Sequence, residues 1–391
     1  MALTMANVIS EVTNQSIFGR IGNSFLGALF GIALLIGSVV LLFWNEGRAV
    51  ATAKSLKEGA ATVIDVPSDT VNPANESKLV HVTGETAVTQ PLEDLLFNIS
   101  ESALRLRRNI EVYVWKEKKE SKSRDKIGGG KETTTTYSYE KVWSPDLIKS
   151  SSFKSAEDHQ NPTKLEIPKK EFVAADATLG QFRLTSQIIE KISGDAAVEA
   201  TDDQLSKVSE KFRSQLKVEG NVYYLGADLA NPEIGDEKIS FTVLRPGTLS
   251  VVAAQAKQSF APYMTTNERE IELVETGSVP AAQMFAHAQA ANRTLTWILR
   301  AVGFAAMFIG GILVLGPISA LARIIPFMGS LVEMGFALVS FFLSAIVSLL
   351  VIAVAWIVYR PVLGIALIVI AIACIVMLKR LHTKHVAAGA T

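Results

Sequence analysis

The sequence predicts an α+β membrane protein, with four transmembrane helices, one N-terminal and three C-terminal, around a large β-rich extramembrane domain with a few short helices. Three observations carry this. The chain of 391 residues holds 38 basic and 38 acidic side chains, yet residues 1–44 contain only Glu11 and Arg20, and 301–391 only Arg323, Glu333, Arg360, Lys379, Arg380 and Lys384. Four uncharged stretches in those flanks are long enough to span hydrocarbon. Between the flanks, apolar and polar residues alternate at the period of a strand.

A short tail, 1–24, precedes the first span at 25–44. Its twenty residues, Phe25 to Trp44, make about 30 Å of helix at ~1.5 Å per residue, the thickness of the hydrocarbon core. Trp44 suits the aromatic belt at the membrane surface, and Asn45 and Gly47 suit a helix C-terminus. Glu46 and Arg48 are expected to forbid further burial. Ala49-Val50-Ala51 imitates a signal-peptidase site, but the apolar run exceeds the ~7–15 residues of a signal peptide, so the run reads as a retained anchor.

The extramembrane domain is assigned to 45–280. Ala103–Trp115 and Glu132–Trp143 alternate as strands, and the charged stretch Lys116–Lys131, broken by Gly128-Gly129-Gly130, reads as the mobile tip of their hairpin. Thr185 or Ser186 can cap a short helix presenting Ile188, Ile189 and Ile192, and Thr201 another presenting Leu205, Val208 and Phe212. Strands return at Gly220–Leu225, Glu237–Leu244, Thr248–Gln255 and Arg269–Glu275. Val80-His-Val-Thr-Gly84 and Val222-Tyr-Tyr-Leu-Gly226 echo each other, as two related modules would.

An amphipathic helix at 281–297 is expected to lie in the interface and feed the second span, 298–322, opened by Trp297 and Arg300. The third and fourth spans, 334–359 and 361–378, meet in a tight hairpin at Trp356, Tyr359, Arg360 and Pro361. Four spans put both termini on one side, and the basic tail 379–391 favours the cytoplasm for it. Gly27 and Gly31 in the first span, and Ala306 and Gly310 in the second, are small residues one turn apart that allow close helix contact. Ser340, Ser344 and Ser348 form a hydroxyl stripe on the third. Its ordinary reading is bonding back to the i−4 carbonyl, with a contact to a neighbouring helix second and a polar pathway third.

Chemistry is sparse. The lone cysteine, Cys374, lies in an apolar run, which excludes a disulfide framework or thiolate zinc cluster and suppresses reactivity. The triple glycine lacks the strand, helix and GK[ST] of a phosphate loop, and His382-x-x-His385 has no third ligand nearby. The middle section, 32 basic against 36 acidic residues, has no basic excess to suit nucleic acid. Neither catalytic residues, cofactor nor metal site is predicted, and no enzyme.

Phe18-Gly-Arg-Ile-Gly-Asn-Ser-Phe25 leading to Leu41-Leu-Phe-Trp-Asn-Glu-Gly-Arg-Ala-Val50 resembles the N-terminal signature of the transmembrane protein 43 (LUMA) family. Gly128–Tyr139 with Lys141-Val-Trp143, Pro232–Phe241, Trp297–Gly303, and Trp356 with Tyr359-Arg-Pro361 extend the resemblance over nearly the whole chain. It implies four spans, a large exoplasmic or lumenal domain, self-association and a scaffolding role, with membrane lipids and other membrane proteins as partners. In animals it implies the endoplasmic reticulum and inner nuclear membrane, with lamins and emerin as partners. The alanine-rich, cysteine-poor composition points instead to a bacterial inner membrane with a periplasmic domain. The expected function is a self-associating membrane scaffold that organises proteins or lipids. A lipid- or envelope-modifying enzyme is the alternative, and a transporter or channel the third reading.

Overall fold

The computed structural model describes residues 8–126, 130–322 and 328–361. They fall into two compact units: a β-rich one comprising Met1–Val12, Lys57–Lys122 and Thr134–Ala286, and a helical one comprising Thr13–Leu56, Ser123–Thr133 and His287–Thr391.

Three helices among the described residues are long and apolar enough to cross a membrane: Ile17–Thr62, Ala281–Ala322, and Leu331–Tyr359 within the helix Met328–Tyr359. The expected fourth span, 361–378, lies outside the described residues beyond Pro361, as do the tail 379–391, Cys374 and the histidine pair.

Two expected boundaries are overturned. The first helix does not stop at Asn45–Gly47 but continues to Thr62, because both polar residues find partners on neighbouring helices. A single internal glycine costs only ~1 kcal/mol, too little to end a helix held on its flank. The second helix runs unbroken from Ala281 to Ala322 and carries Pro317 near its end, so 281–297 is one rod with the span rather than a separate interfacial helix.

The β-rich unit holds two large sheets. One has the order Val8–Gln15, Lys131–Ser144, Arg105–Asp125, Glu237–Leu244, Val222–Leu225, Leu216–Glu219. Its inner face packs Phe97, Leu106, Ile110, Tyr223, Ile239 and Phe241. The other centres on Leu79–Ala87 paired antiparallel with Thr248–Ala256, Val82 opposite Val251. Phe182, Ile188, Ile189 and Phe260 pack against its apolar face. The chain passes between the sheets several times, and the two echoing motifs fall in different sheets with different strand neighbours.

Both expected helix caps form: the Thr185 hydroxyl accepts from the Ile188 N–H at 3.3 Å and the Thr201 hydroxyl from the Gln204 N–H at 3.3 Å. The second helix breaks at Val208 into Asp202–Lys207 and Glu210–Arg213. One buried ion pair and one buried carboxylate anchor the unit. Arg108 and Asp94, 4% and 1% exposed, meet at 2.9 Å, and burial draws the Arg108 pKa down while Asp94 pulls it back. Glu237 accepts backbone N–H bonds from Glu166 at 2.6 Å and Ile167 at 3.1 Å; burial pushes its carboxyl up and those bonds restrain it.

The hairpin exceeds its expected length. The first arm extends to Asp125, through the charged stretch expected to be its mobile tip. Polar pairs across the arms hold it together, among them Ser121 with Thr135 at 3.1 Å and Ser123 with Thr133 at 2.9 Å. Such cross-strand pairs contribute a few tenths of a kcal/mol to about 1 kcal/mol each.

The described part of the expected N-terminal tail is not a free tail before the helix. Val8–Gln15 is the outer strand of the first sheet, with the Ser10 and Thr136 hydroxyls 3.3 Å apart and Lys154 2.8 Å from Glu11. Alternation over so short a segment, six of its eight residues exposed, gives too weak a sequence signal to reveal the strand. In a Cys374→Ser background, Ser10→Cys and Thr136→Cys are expected to cross-link on mild oxidation, because the two side chains face each other. Absence of the cross-link would refute the pairing.

Candidate functional site, a buried polar clamp among three helices

The clamp grows from two helix faces. On the first helix, Asn45, Glu46, Arg48 and Ala49 follow the apolar run directly. On the second, Asn292, Thr296 and Arg300 recur every four residues and so lie along one stripe.

Glu46 is fully buried, contrary to the expectation that its charge would keep this segment in water. Arg300 grips it in a fork, Nε to Oε1 at 2.6 Å and Nη2 to Oε2 at 2.9 Å, and the indole N–H of Trp356 on the third helix donates to Oε2 at 2.8 Å. Two parallel guanidinium bonds are the strongest arrangement available to a carboxylate. The guanidinium also lies 4.7 Å from the Trp297 ring centre and 5.9 Å from that of Trp356, in cation–π range.

Arg48 extends the network. Its Nη1 donates to Asn292 Oδ1 at 3.0 Å and its Nη2 to Thr296 Oγ1 at 3.1 Å, while Asn45 Nδ2 donates to the Thr296 carbonyl at 3.0 Å. Asn292 Nδ2 returns a bond to the Ala49 carbonyl at 3.0 Å. Gly47 permits the third helix to approach: a Cβ there would stand 2.7 Å from the Tyr359 ring. Tyr359 also meets Phe43, ring centres 5.3 Å apart, and Arg360 sits 5.7 Å from the Trp356 ring. Trp44 and Trp297 remain 53% and 67% exposed. Pro361 is exposed.

Farther along the same helices, two glycines bring backbones together. A Cβ on Gly31 would fall 2.7 Å from the Gly310 carbonyl oxygen, and one on Gly310 would fall 2.9 Å from that of Gly31, so the two backbones touch. Gly27 faces Leu313 at ordinary contact distance, 3.9 Å, and Ala306 is half-buried. The serine stripe serves a helix contact rather than local back-bonding. Ser340 donates to the Phe308 carbonyl at 3.0 Å and Ser348 approaches Met307 Sδ at 3.5 Å. Ser344, 4% exposed, lines an apolar cavity of about 370 Å³ with Ser340, Leu35 and Val39.

Sequence reasoning found Glu46, Arg48, Arg300 and Trp356 as boundary residues but not as one another's partners, and it missed Asn292 and Thr296. Their spacing from Arg300 was the available signal. Chemically, the clamp is a structural device, with both Glu46 oxygens engaged and shielded from solvent. Among the described residues, no group of three or more His, Cys, Asp or Glu side chains could hold a metal ion.

A family model described as Transmembrane protein 43 matches residues 112–361, which takes in Arg300 and Trp356. Transmembrane protein 43 of Homo sapiens is 30% identical over 370 residues, covering 90% of this chain and 91% of that protein. The Mus musculus protein of the same name is 30% identical over 353 residues, 88% and 86% of the two chains. The Transmembrane protein 43 homolog of Drosophila melanogaster is 29% identical over 352 residues, 87% and 91%. No solved structure matches. With long apolar helices, a β-rich unit and a match that runs along most of its length, the chain belongs to the transmembrane protein 43 family.

Proposed function

We propose that this protein is an integral membrane scaffold that self-associates and organises membrane proteins or lipids through its β-rich unit. Its greater part, which follows the first span, lies opposite the basic C-terminal tail, in the periplasm if the source is a bacterium.

One observation carries the reading. Val8–Gln15 closes one side of the larger sheet as an open edge strand, with Val8 and Val12 50% and 56% exposed. An unpaired edge offers a row of backbone donors and acceptors to another chain. The membrane supports it further, because confinement to one plane raises the effective concentration of every neighbour.

Cross-linking in native membranes, followed by mass photometry of the protein in nanodiscs, tests the proposal. Oligomers or a stable complex with another membrane protein are expected. Monomers alone, with no partner trapped, would overturn it.

A further inference from the structure

We infer that His81 is a proton-operated latch: while its ring is charged it fastens the chain leaving the first long helix to the chain entering the second, and on losing a proton it releases the latter.

The strand Ile64–Pro67 begins just after the first helix ends at Thr62, and 277–280 joins the strand Leu273–Thr276 to the second helix at Ala281. Gly277, at φ +89°, makes the turn out of that strand, a conformation that costs glycine little. His81, 8% exposed, bonds to both connections from the strand Leu79–Ala87. Its Nδ1 lies 2.6 Å from Asp65 Oδ1, and its Nε2 lies 3.0 Å from the Val279 carbonyl oxygen and 3.2 Å from Thr83 Oγ1.

The hydrogen bonds around Ser250 fix which atoms donate. The Val279 N–H donates to Ser250 Oγ at 2.9 Å, and Ser250 gives its own single proton to the Gly277 carbonyl at 2.8 Å. Thr83 Oγ1, 2.8 Å from Ser250 Oγ, is therefore the donor of that pair and has only lone pairs to offer His81. Both neighbours of Nε2 are then acceptors, so Nε2 carries a hydrogen. Asp65, its side chain 86% exposed, is solvated as a carboxylate, so Nδ1 carries one too. Two N–H groups on one imidazole make a cation.

A neutral His81 cannot serve both sides. Nδ1 faces a full negative charge and keeps its proton in a charge-assisted bond. Nε2 gives its proton up and turns a lone pair on the Val279 carbonyl, and the Thr83 hydroxyl can reach it only by leaving Ser250. The Val279 end of the network comes loose while the Asp65 end holds. Histidine ordinarily changes charge between about pH 5 and 8, so the latch is closed at the acid end of that range and opens as pH rises. Asp65 is the one ionisable group among those bonded to His81 or paired with it in the sheet, where Val252 stands on the other side.

The Val279 amide bonds Ser250, and those of Gln283 and Met284 bond the Pro280 carbonyl, so amide exchange over 277–284 reports on the latched segment. Hydrogen–deuterium exchange of the full-length protein in nanodiscs is followed in steps from about pH 5 to about pH 8, the range in which histidine titrates, and expressed as protection over the same peptide unfolded. Wild-type protection is expected to fall about tenfold or more as pH rises, the scale of one hydrogen bond to a charged group. His81→Gln should abolish the fall. Asp65→Asn, at an exposed position, should move the fall to lower pH, because the charge that favours the imidazolium is gone. A flat wild-type profile, or a fall that survives His81→Gln, would overturn the latch; if His81→Gln does not fold, an unmoved midpoint in Asp65→Asn overturns it.

Discussion

Glu46→Ala is expected to destabilise the helical unit by about 3–5 kcal/mol, the usual cost of leaving one member of a buried ion pair alone. Arg300 would keep its charge and lose both arms of its fork, and the Trp356 indole would lose its acceptor. Glu46→Gln retains an oxygen but brings an NH₂ against one of the donors, so it should fall between alanine and wild type. The decisive variant is Glu46→Leu with Arg300→Leu. Removing both charges together is often near neutral, and this double change should be more stable than either single replacement. Thermal unfolding in detergent followed by size-exclusion chromatography reads the order. If the two single effects simply add in the double variant, the buried pairing is wrong.

Gly31→Leu and Gly310→Leu are expected to be as damaging by a different route. Each side chain would begin from a Cβ less than 3 Å from a carbonyl oxygen on the facing helix. Backbone cannot rotate out of the way as a side chain can, so the helices must part and lose contact along the whole crossing. Overpacking typically costs 1–3 kcal/mol or more, and here Leu42 against Gly303 and Gly27 against Leu313 lie on the same seam. Gly37→Leu is the control, because nothing lies within 4 Å of a Cβ there; it should be neutral or slightly stabilising through helix propensity. Similar melting temperatures for Gly31→Leu and Gly37→Leu would show that the two helices do not meet at this point.

The membrane helices were legible because length and charge exclusion are one-dimensional properties. Their true ends were not. Asn45 and Glu46 look like stop signals on a linear chain, and only Thr296, Arg300 and Trp356, hundreds of residues away, turn them into interior residues. The glycine pairs were readable for the same reason that they work, since a small residue every fourth position has few other uses in an apolar helix. In the β-rich unit, strands such as Glu237–Leu244 could be placed to the residue because their apolar faces are buried. The outer half of the long hairpin misled because it has no apolar face: cross-strand polar pairs hold it, and pairing is invisible to periodicity. The cavity beside Arg20 was unreadable in the sequence, since Arg20, Lys131 and Glu333 look like three unrelated surface charges until the chain brings them together.

The outer strand Val8–Gln15 also bears on biosynthesis. Ser10 and Thr136 are separated by 126 positions. At a ribosomal pace of about 5–20 residues per second, the first-made strand waits roughly 6–25 s for its mate, with the first oily segment already emerging behind it. During that interval its hydrogen-bonding groups have only water or a chaperone to satisfy them. Slowing translation between the two should lengthen the exposure and increase aggregation of nascent chains, so the timing of synthesis becomes part of how this protein reaches its native state.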